Sequence, residues 1–372
     1  MNPRSILSVP GFRGTLCAFV FSRLLILAIG YLSTGIILVA PEQAKHGFIA
    51  PFLRWDSNWY LELARHGYEF IPNDQSNVVF FPLYPLLMHV GSLGVLSLTH
   101  GGLLVSNLCT FGAAMLIWHL ARIDHTERTA DMAVRFFLFG PVSFFFSTIY
   151  SEGTFVLFVA ASLFGARTRR WWLAGAAGYA AALTRSVGLL MVIPLAMEFL
   201  AQERKDFSWR NLGCWIRLAC TGLPAAGTLT YMAYMAMKFG DPLVYRKAEI
   251  FWGRKLMPFW ETFLHPNVAS LPDVYKAWFI GALILAAVLI GAGLLLRIRG
   301  AYLAMAAAYV VLYTSTGVLE AIPRYMSVIV PFYIILGAWV ERRPFLELPF
   351  TILSTALLAF STVAFSTGYW FT

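Results

Sequence analysis

GTLCAFVFSRLLILAIGYLSTGIILV, residues 14–39, carries a single charge, Arg23. A helix over this run is about 39 Å long at 1.5 Å per residue, more than the roughly 30 Å of hydrocarbon in a bilayer. The run is too long for a signal peptide and lacks a small-residue cleavage site, so it reads as a retained first span. Runs of the same character recur along the chain, which is 59% hydrophobic, 16% aromatic and only 13% charged. A soluble domain carries about 25% charged residues. Backbone polar groups in lipid must be satisfied within the segment, and a helix does this. The sequence therefore predicts an all-α polytopic membrane protein, one integral-membrane domain over residues 1–372 with about ten to twelve transmembrane helices.

The formal net charge of +9 does not point to nucleic acid. The arginines sit in short clusters between apolar runs, as topology signals do. These are Arg4 and Arg13; Arg122, Arg128 and Arg135; Arg167, Arg169 and Arg170; Arg204, Lys205 and Arg210; Arg297 and Arg299; and Arg342 and Arg343. They mark the expected cytoplasmic side, so two longer polar segments, about 40–80 and 239–275, face outward. The first sets Glu42, Asp56, Glu62, Glu69 and Asp74 against Lys45, Arg54 and Arg65, an acidic loop opposite basic ones. Parity then requires that one of the runs 82–98 and 101–121 not cross fully. Two tight pairs, 132–149 with 153–166 and 171–184 with 186–201, place the polar knuckles Tyr150-Ser151-Glu152 and Thr184-Arg185-Ser186 outside. Their legs are short, which predicts tilted or broken helices. No internal repeat is visible, which weighs against an inverted-repeat transporter. The four cysteines lie in apolar segments without metal-ligand spacing and read as packing residues.

The densest polar stretch is RWDSNWYLELARHGYEF, residues 54–70. Trp55, Trp59 and Leu63 recur every four residues with Tyr60 and Ala64 alongside, while Asn58, Glu62 and Arg65 fall on the other face. This predicts a short amphipathic helix over about 57–66 on the outer interface, stopped at Gly67. Asp56 at its start has two readings: an N-cap that satisfies backbone N–H groups, or a general base at the membrane surface. Glu62 and Asp74 are rival carboxylates. Glu152, beside Tyr150, reads as the partner of a neighbouring helix's arginine or as a site residue. Arg185 in ALTRSVG and Arg324 in AIPRYMS either snorkel to the interface or together hold an anionic lipid head group. GDPLVYRKAEIFWGRK, residues 240–255, sets Arg246, Lys247 and Arg254 beside Tyr245 and Trp252. That mix suits phosphate and sugar, and equally a plain interfacial anchor.

In chain order, RWDSNWYLELARHGY, FFPLYPLL, IYSEGTF, WWLAGAAGYAAALTRSVGLL, GDPLVYRKAEIFWGR and IPRYMSVIVPFY resemble the PIG-V type mannosyltransferases, within the GT-C class of membrane glycosyltransferases. The similar blocks run from about residue 20 to 335. The resemblance implies a GT-C-like bundle with an outer-face amphipathic helix in the first loop. It implies inverting transfer of a sugar, usually mannose, from a polyprenyl-phosphate-linked donor to a lipid-linked or glycan acceptor. Asp56 matches the family's WD motif and is the implied base. Arg324 and Arg185, or the loop cations Arg246, Lys247 and Arg254, are then expected to bind the donor phosphate. Trp55, Trp59, Tyr150, Glu152 and Trp252 are expected to bind substrate or support the site. Asp56 is followed by Ser57 and Asn58, so the Asp-Asp or Asp-x-Asp pair of some GT-C relatives is absent, and no metal or other cofactor is expected. The expected partners are the donor, the acceptor and membrane lipids. The short, arginine-rich chain with small loops looks like a bacterial relative, in the plasma (inner) membrane with its site facing outward. The competing expectation is a transporter or flippase of a lipid-linked saccharide. A transferase concentrates its polar residues on one face, whereas a transporter needs them along a path through the membrane.

Overall fold

The computed structural model describes residues 9–37, 47–264 and 273–369. An apolar chain in lipid has to satisfy its backbone internally, and every regular element among these residues is helical. α1 (Phe12–Ile36) is followed by the short α2 (Asp56–His66) and α3 (Leu83–Ser92), then by α4 (Leu98–Asp124). Next come α5 (Glu127–Leu138), α6 (Glu152–Arg167), α7 (Trp171–Thr184), α8 (Val192–Glu203) and the long α9 (Leu212–Phe239). Two short helices, α10 (Val244–Glu249) and α11 (Phe259–Leu264), precede α12 (Asp273–Leu295) and α13 (Gly300–Thr314). The five-residue α14 (Ile322–Met326), then α15 (Val330–Arg342) and α16 (Glu347–Ser366), follow.

Five described stretches are long and apolar enough to cross a membrane: Phe12–Ile36, Leu98–Asp124, Ser186–Glu203, Asp273–Leu295 and Pro344–Ser366. The protein is an integral, multi-pass membrane protein. The estimate of about ten to twelve spans takes every apolar run as one crossing, including those folded as shorter helices such as α5, α6, α7 and α15. The parity problem resolves at α3. Its 10 residues reach only about 15 Å at 1.5 Å per residue, half the hydrocarbon thickness. Leu93 and Gly94, both at positive φ, stop it, and the Ser97 hydroxyl caps α4 by accepting from the His100 N–H at 3.3 Å. The short legs are broken helices. The run 132–149 stops at Leu138 and resumes as a 3-10 turn over Ser143–Ser147, and another 3-10 turn, Ser186–Met191, leads into α8.

Apart from Arg23, buried midway along α1 where it donates to Ser147 Oγ at 2.7 Å and the Leu138 carbonyl oxygen at 3.4 Å, the charges described below gather at the two ends of the bundle. Glu152 and Arg167 close opposite ends of α6, about 23 Å apart at 1.5 Å per residue. At the Arg167 end the basic clusters meet acids: Arg167 with Asp124 at 2.5 Å, Arg299 with Glu198 at 2.7 Å, and Arg128 with Glu347 at 2.8 Å. The knuckles meet at the Glu152 end. Between the two lie buried Phe137, Phe146, Phe155, Val159, Leu163 and Met305.

Without a hydrophobic force between helices in lipid, close backbone approach supplies much of the packing. A Cβ on Gly227 of α9 would lie 2.6 Å from the Tyr179 carbonyl oxygen of α7, and one on Gly153 of α6 would lie 2.9 Å from the Ser106 carbonyl oxygen of α4. Gly227→Ala is therefore expected to push α7 and α9 apart at a cost of about 1–3 kcal/mol, seen as a lower melting temperature in detergent. Gly222→Ala, on the same helix where a Cβ meets nothing within 4 Å, leaves the melting temperature unchanged or slightly raised.

Candidate active site

Asp56 is the first residue of α2, but its carboxylate caps nothing. Trp55 takes the N-cap position at φ 50, without a side-chain capping bond. Instead Asp56 Oδ2 accepts from Arg324 Nη1 at 2.6 Å. A tertiary partner thus overrides the local capping preference, because a charge-assisted bond to a buried guanidinium is roughly twice as strong as a neutral one. The Asp56 backbone N–H donates to the Tyr150 hydroxyl at 3.2 Å, and that hydroxyl lies 3.3 Å from the Arg54 carbonyl oxygen, to which it donates. Arg54, fully buried, donates to the Ser366 carbonyl oxygen at 2.8 Å and ties this corner to the end of α16.

α2 is amphipathic with the periodicity predicted. Tyr60, Leu61, Leu63 and Ala64 are buried, and Asn58, Glu62 and Arg65 are exposed. Its apolar face rests on protein. The Tyr60 ring lies edge-on to Phe80 at 4.9 Å and Tyr84 at 5.0 Å, and its hydroxyl donates to Ser151 Oγ at 2.7 Å. His89 Nε2 hydrogen-bonds the Ala64 carbonyl oxygen at 2.8 Å. Trp59, on the face expected to lie along the outer interface, turns inward: it stacks on Phe80 at 6.2 Å and meets Trp252 edge-on at 5.1 Å.

The two knuckles and Arg324 converge on Glu152, which is fully buried. Its Oε1 accepts from Arg324 Nε and from Arg185 Nη1, the latter at 2.6 Å. Arg185 Nη1 also lies 3.3 Å from Ser151 Oγ. Arg324 therefore bridges Asp56 and Glu152, with its guanidinium 4.5 Å above the Tyr150 ring. Neither arginine snorkels. A buried carboxylate is tolerable only when paired, and these two cations pair it through Oε1, while the buried Oε2 has no hydrogen-bond partner among the described residues.

Above this network opens a cavity of about 500 Å³. Of the residues expected at the site, Asp56, Arg185, Arg254, Arg324, Trp55, Trp59 and Trp252 line it. Glu152 and Tyr150 lie beneath it as support. Arg246 and Lys247 do not line it: Arg246 pairs with Glu249 at 2.5 Å and Lys247 with Asp241 at 2.6 Å. Their neighbours Val244, Tyr245 and Ala248 are the buried face of α10, which turns the two cations aside. Glu62, paired with Arg65 and His66, and Asp74, bonded to the Gln75 N–H, also stand outside. The Arg254 guanidinium lies 5.1 Å over the Tyr325 ring, which Arg185 also approaches at 5.6 Å. Among the described residues no carboxylate comes within ion-pair distance of Arg254. No group of three or more described His, Cys, Asp or Glu side chains is arranged to hold a metal ion.

Sequence reasoning passes over Gln75, Glu249, Glu320 and Tyr325, which also line the cavity. Glu320 has a signal in the sequence, an acid four residues before Arg324 in LEAIPRY. Ala321 between them, at φ 64, bends the chain so that both side chains reach the cavity. Burial pushes the Glu249 and Glu320 carboxyls up from the usual carboxylate range, opposed by Arg246 and Arg254 at Glu249 and by Arg254 at Glu320.

The family model for mannosyltransferases of the PIG-V type matches residues 32–242. The GPI alpha-1,6-mannosyltransferase 2 of Rattus norvegicus is 28% identical over 162 residues, covering 41% of this chain and 32% of the rat protein. That of Mus musculus is 29% identical over 160 residues, covering 40% and 32%. The chain thus spans about a third of the length of these curated relatives. Among solved structures, ArnT from Cupriavidus metallidurans bound to undecaprenyl phosphate superposes with a TM-score of 0.50 at 16% identity, covering 94% of this chain and 75% of that one. The apo oligosaccharyltransferase of Archaeoglobus fulgidus gives 0.53 at 13% identity, covering 96% and 56%. At these identities the likeness is one of fold, the GT-C bundle.

A carboxyl raised in the folded state disfavours folding where it is ionised, above its folded value, and has no effect below its unfolded value. Glu320→Gln is accordingly expected to raise the melting temperature at pH 7. The gain should fade as the pH falls toward about 4. A gain that persists at the acid end would show that the carboxylate's charge is not its source.

Proposed function

This chain belongs to the PIG-V mannosyltransferase family, and we propose that it is an inverting glycosyltransferase. It moves a sugar, mannose in the first place, from a polyprenyl-phosphate carrier to an acceptor hydroxyl at the outward face of a bacterial plasma membrane. The observation that carries this reading is the shared cavity: Asp56 and the guanidiniums of Arg185, Arg254 and Arg324 line one space at the end of the bundle away from the basic clusters. Those clusters mark the cytoplasmic side, so the cavity faces outward. The names of the relatives support mannose as the sugar, and the undecaprenyl phosphate bound by ArnT supports a polyprenyl-phosphate donor.

Inverting transfer needs a base at the acceptor hydroxyl and stabilisation of the departing phosphate. Arg324 holds Asp56 by Oδ2, which orients Oδ1 for the hydroxyl. The acceptor oxygen attacks the anomeric carbon on the face opposite the phosphate, and Asp56 takes the proton. The bond from that carbon to the phosphate oxygen breaks, its electron pair leaves with the carrier, and polyprenyl phosphate departs. Arg254, without a carboxylate of its own among the described residues, meets the charge that grows there. Arg185 and Arg324 flank it, fixed by Glu152. The transporter reading needs polar groups along a path through the membrane. The buried apolar layer of Phe137, Phe146, Phe155, Val159 and Leu163 between the two polar ends supports the transferase instead.

The test is sugar transfer from radiolabelled polyprenyl-phosphate mannose in proteoliposomes. Asp56→Asn is expected to lower the rate by about 10²-fold or more. Arg254→Ala should lower kcat/KM for the donor by about 10²-fold, while Lys247→Ala leaves it unchanged. Equal transfer by wild type and Asp56→Asn would remove Asp56 from the chemistry. Loss with Lys247→Ala but not with Arg254→Ala would place the phosphate elsewhere.

A further inference from the structure

Three carboxylates line the cavity, and two of them have partners. Asp56 is held by Arg324 at 2.6 Å and Glu249 by Arg246 at 2.5 Å. Glu320 has neither an ion pair nor a hydrogen bond to its carboxylate among the described residues, although it is only partly exposed. Its half-buried carboxylate faces the cavity without a donor from the described protein, so a ligand there is free to supply one. Nor is Glu320 a stray loop residue. Its turn is laced to the segment that carries Arg254, since the Lys255 N–H donates to the Thr316 carbonyl oxygen at 2.9 Å and the Met257 N–H to that of Ser315 at 3.0 Å. Ala321, at φ 64 without being glycine, fixes the direction of the chain just after it, a conformation that persists only where the surroundings enforce it.

The ligand that satisfies Glu320 follows from electrostatics. A phosphate is repelled by it and drawn to Arg254. An ammonium paired with Glu320 is disfavoured by Arg254, which lines the same space with no carboxylate at ion-pair distance among the described residues. What remains is a neutral group with hydrogens to donate, and an ionised carboxylate, which only accepts, has two oxygens to offer adjacent hydroxyls. Because Glu320 and Arg254 ride on one hydrogen-bonded unit, the hydroxyls and the phosphate belong to one molecule. We propose that Glu320 is a specificity-determining residue that binds a hydroxyl pair of the neutral hexose on the polyprenyl-phosphate donor. The proposal rests on the reading of this cavity as a site of sugar transfer and adds to it the group that reads the sugar.

The experiment is equilibrium binding to the full chain in detergent. The probes are a short-chain polyprenyl-phosphate mannose, its 2-, 3-, 4- and 6-deoxy forms, and the bare polyprenyl phosphate. Wild type is expected to lose about tenfold in affinity with at least one deoxy sugar, the worth of a hydrogen bond to a charged group. Glu320→Gln and Glu320→Ala should bind the bare phosphate at least as tightly as wild type does, since a carboxylate that repels it is gone. They should bind the mannosyl form about tenfold more weakly and no longer distinguish it from that deoxy form. An unchanged ranking in both variants overturns the proposal. So does a Glu320-dependent affinity for methyl mannoside beside bound bare phosphate with an unaltered donor panel, which would assign the residue to an acceptor sugar. If wild type binds neither polyprenyl compound, the transferase reading itself fails, a result distinct from bare-phosphate binding with no preference at the sugar.

Discussion

One guanidinium holds the cavity end of this bundle together. Arg324 reaches Asp56, 268 residues earlier, through one nitrogen and Glu152, 172 residues earlier, through another. Glu152 in turn holds Arg185 at the start of the next knuckle. Four segments that are distant in sequence are therefore fixed to a single carboxylate–guanidinium core. Breaking a buried pair by removing one partner leaves an uncompensated charge, at a cost of about 3–5 kcal/mol. That sensitivity gives the core its organising role. The Tyr60 hydroxyl on Ser151 and the Asp56 N–H on Tyr150 are in register only while the knuckle stands where Glu152 places it.

The bilayer explains why the core sits at the ends of short helices. A polar cavity cannot be carved through regular transmembrane helices without exposing backbone to lipid, whereas broken helices that line a cavity are tolerated. α3, the 3-10 turns at Ser143–Ser147 and Ser186–Met191, and the five-residue α14 are breaks of this kind. The layer toward the basic end is closed by aromatic and aliphatic side chains. The polar cavity is thus confined to one end, and the price in lost helix is confined with it.

Much of this was legible because it depends on local pattern. The first span, the helix expected over about 57–66 with its exposed Asn58, Glu62 and Arg65, its stop at Gly67 and an incomplete crossing in one of the runs 82–98 and 101–121 all follow from periodicity, turn residues and charge parity, whereas only the structure shows that the incomplete run is the first. What was not legible depends on tertiary partners. The capping rule for Asp56 lost to an arginine that no spacing relates to it. Trp59 reads as part of a helix face lying on the outer interface until Phe80 and Trp252 are brought beside it. Composition offers Arg246, Lys247 and Arg254 as equals, and only the buried face of α10 separates them. Glu320 was passed over because a lone acid between apolar runs carries no pattern of its own.

The pairing of charges then limits what the cavity can receive. Arg185, Arg246, Arg254 and Arg324 stand against Asp56, Glu152, Glu249 and Glu320, so the site is neutral in sum. Neutrality hides an asymmetry, because every member but two is committed to a partner within the described protein. The uncommitted pair are Arg254 and Glu320, one able only to donate and the other, when ionised, able only to accept. They are carried by segments that hydrogen-bond to each other. A ligand that satisfies one alone leaves the other, half-buried in the cavity wall, without a hydrogen-bonded partner among the described residues. A molecule with an anion at one end and neutral hydroxyls at the other satisfies both, and a sugar phosphodiester has that form.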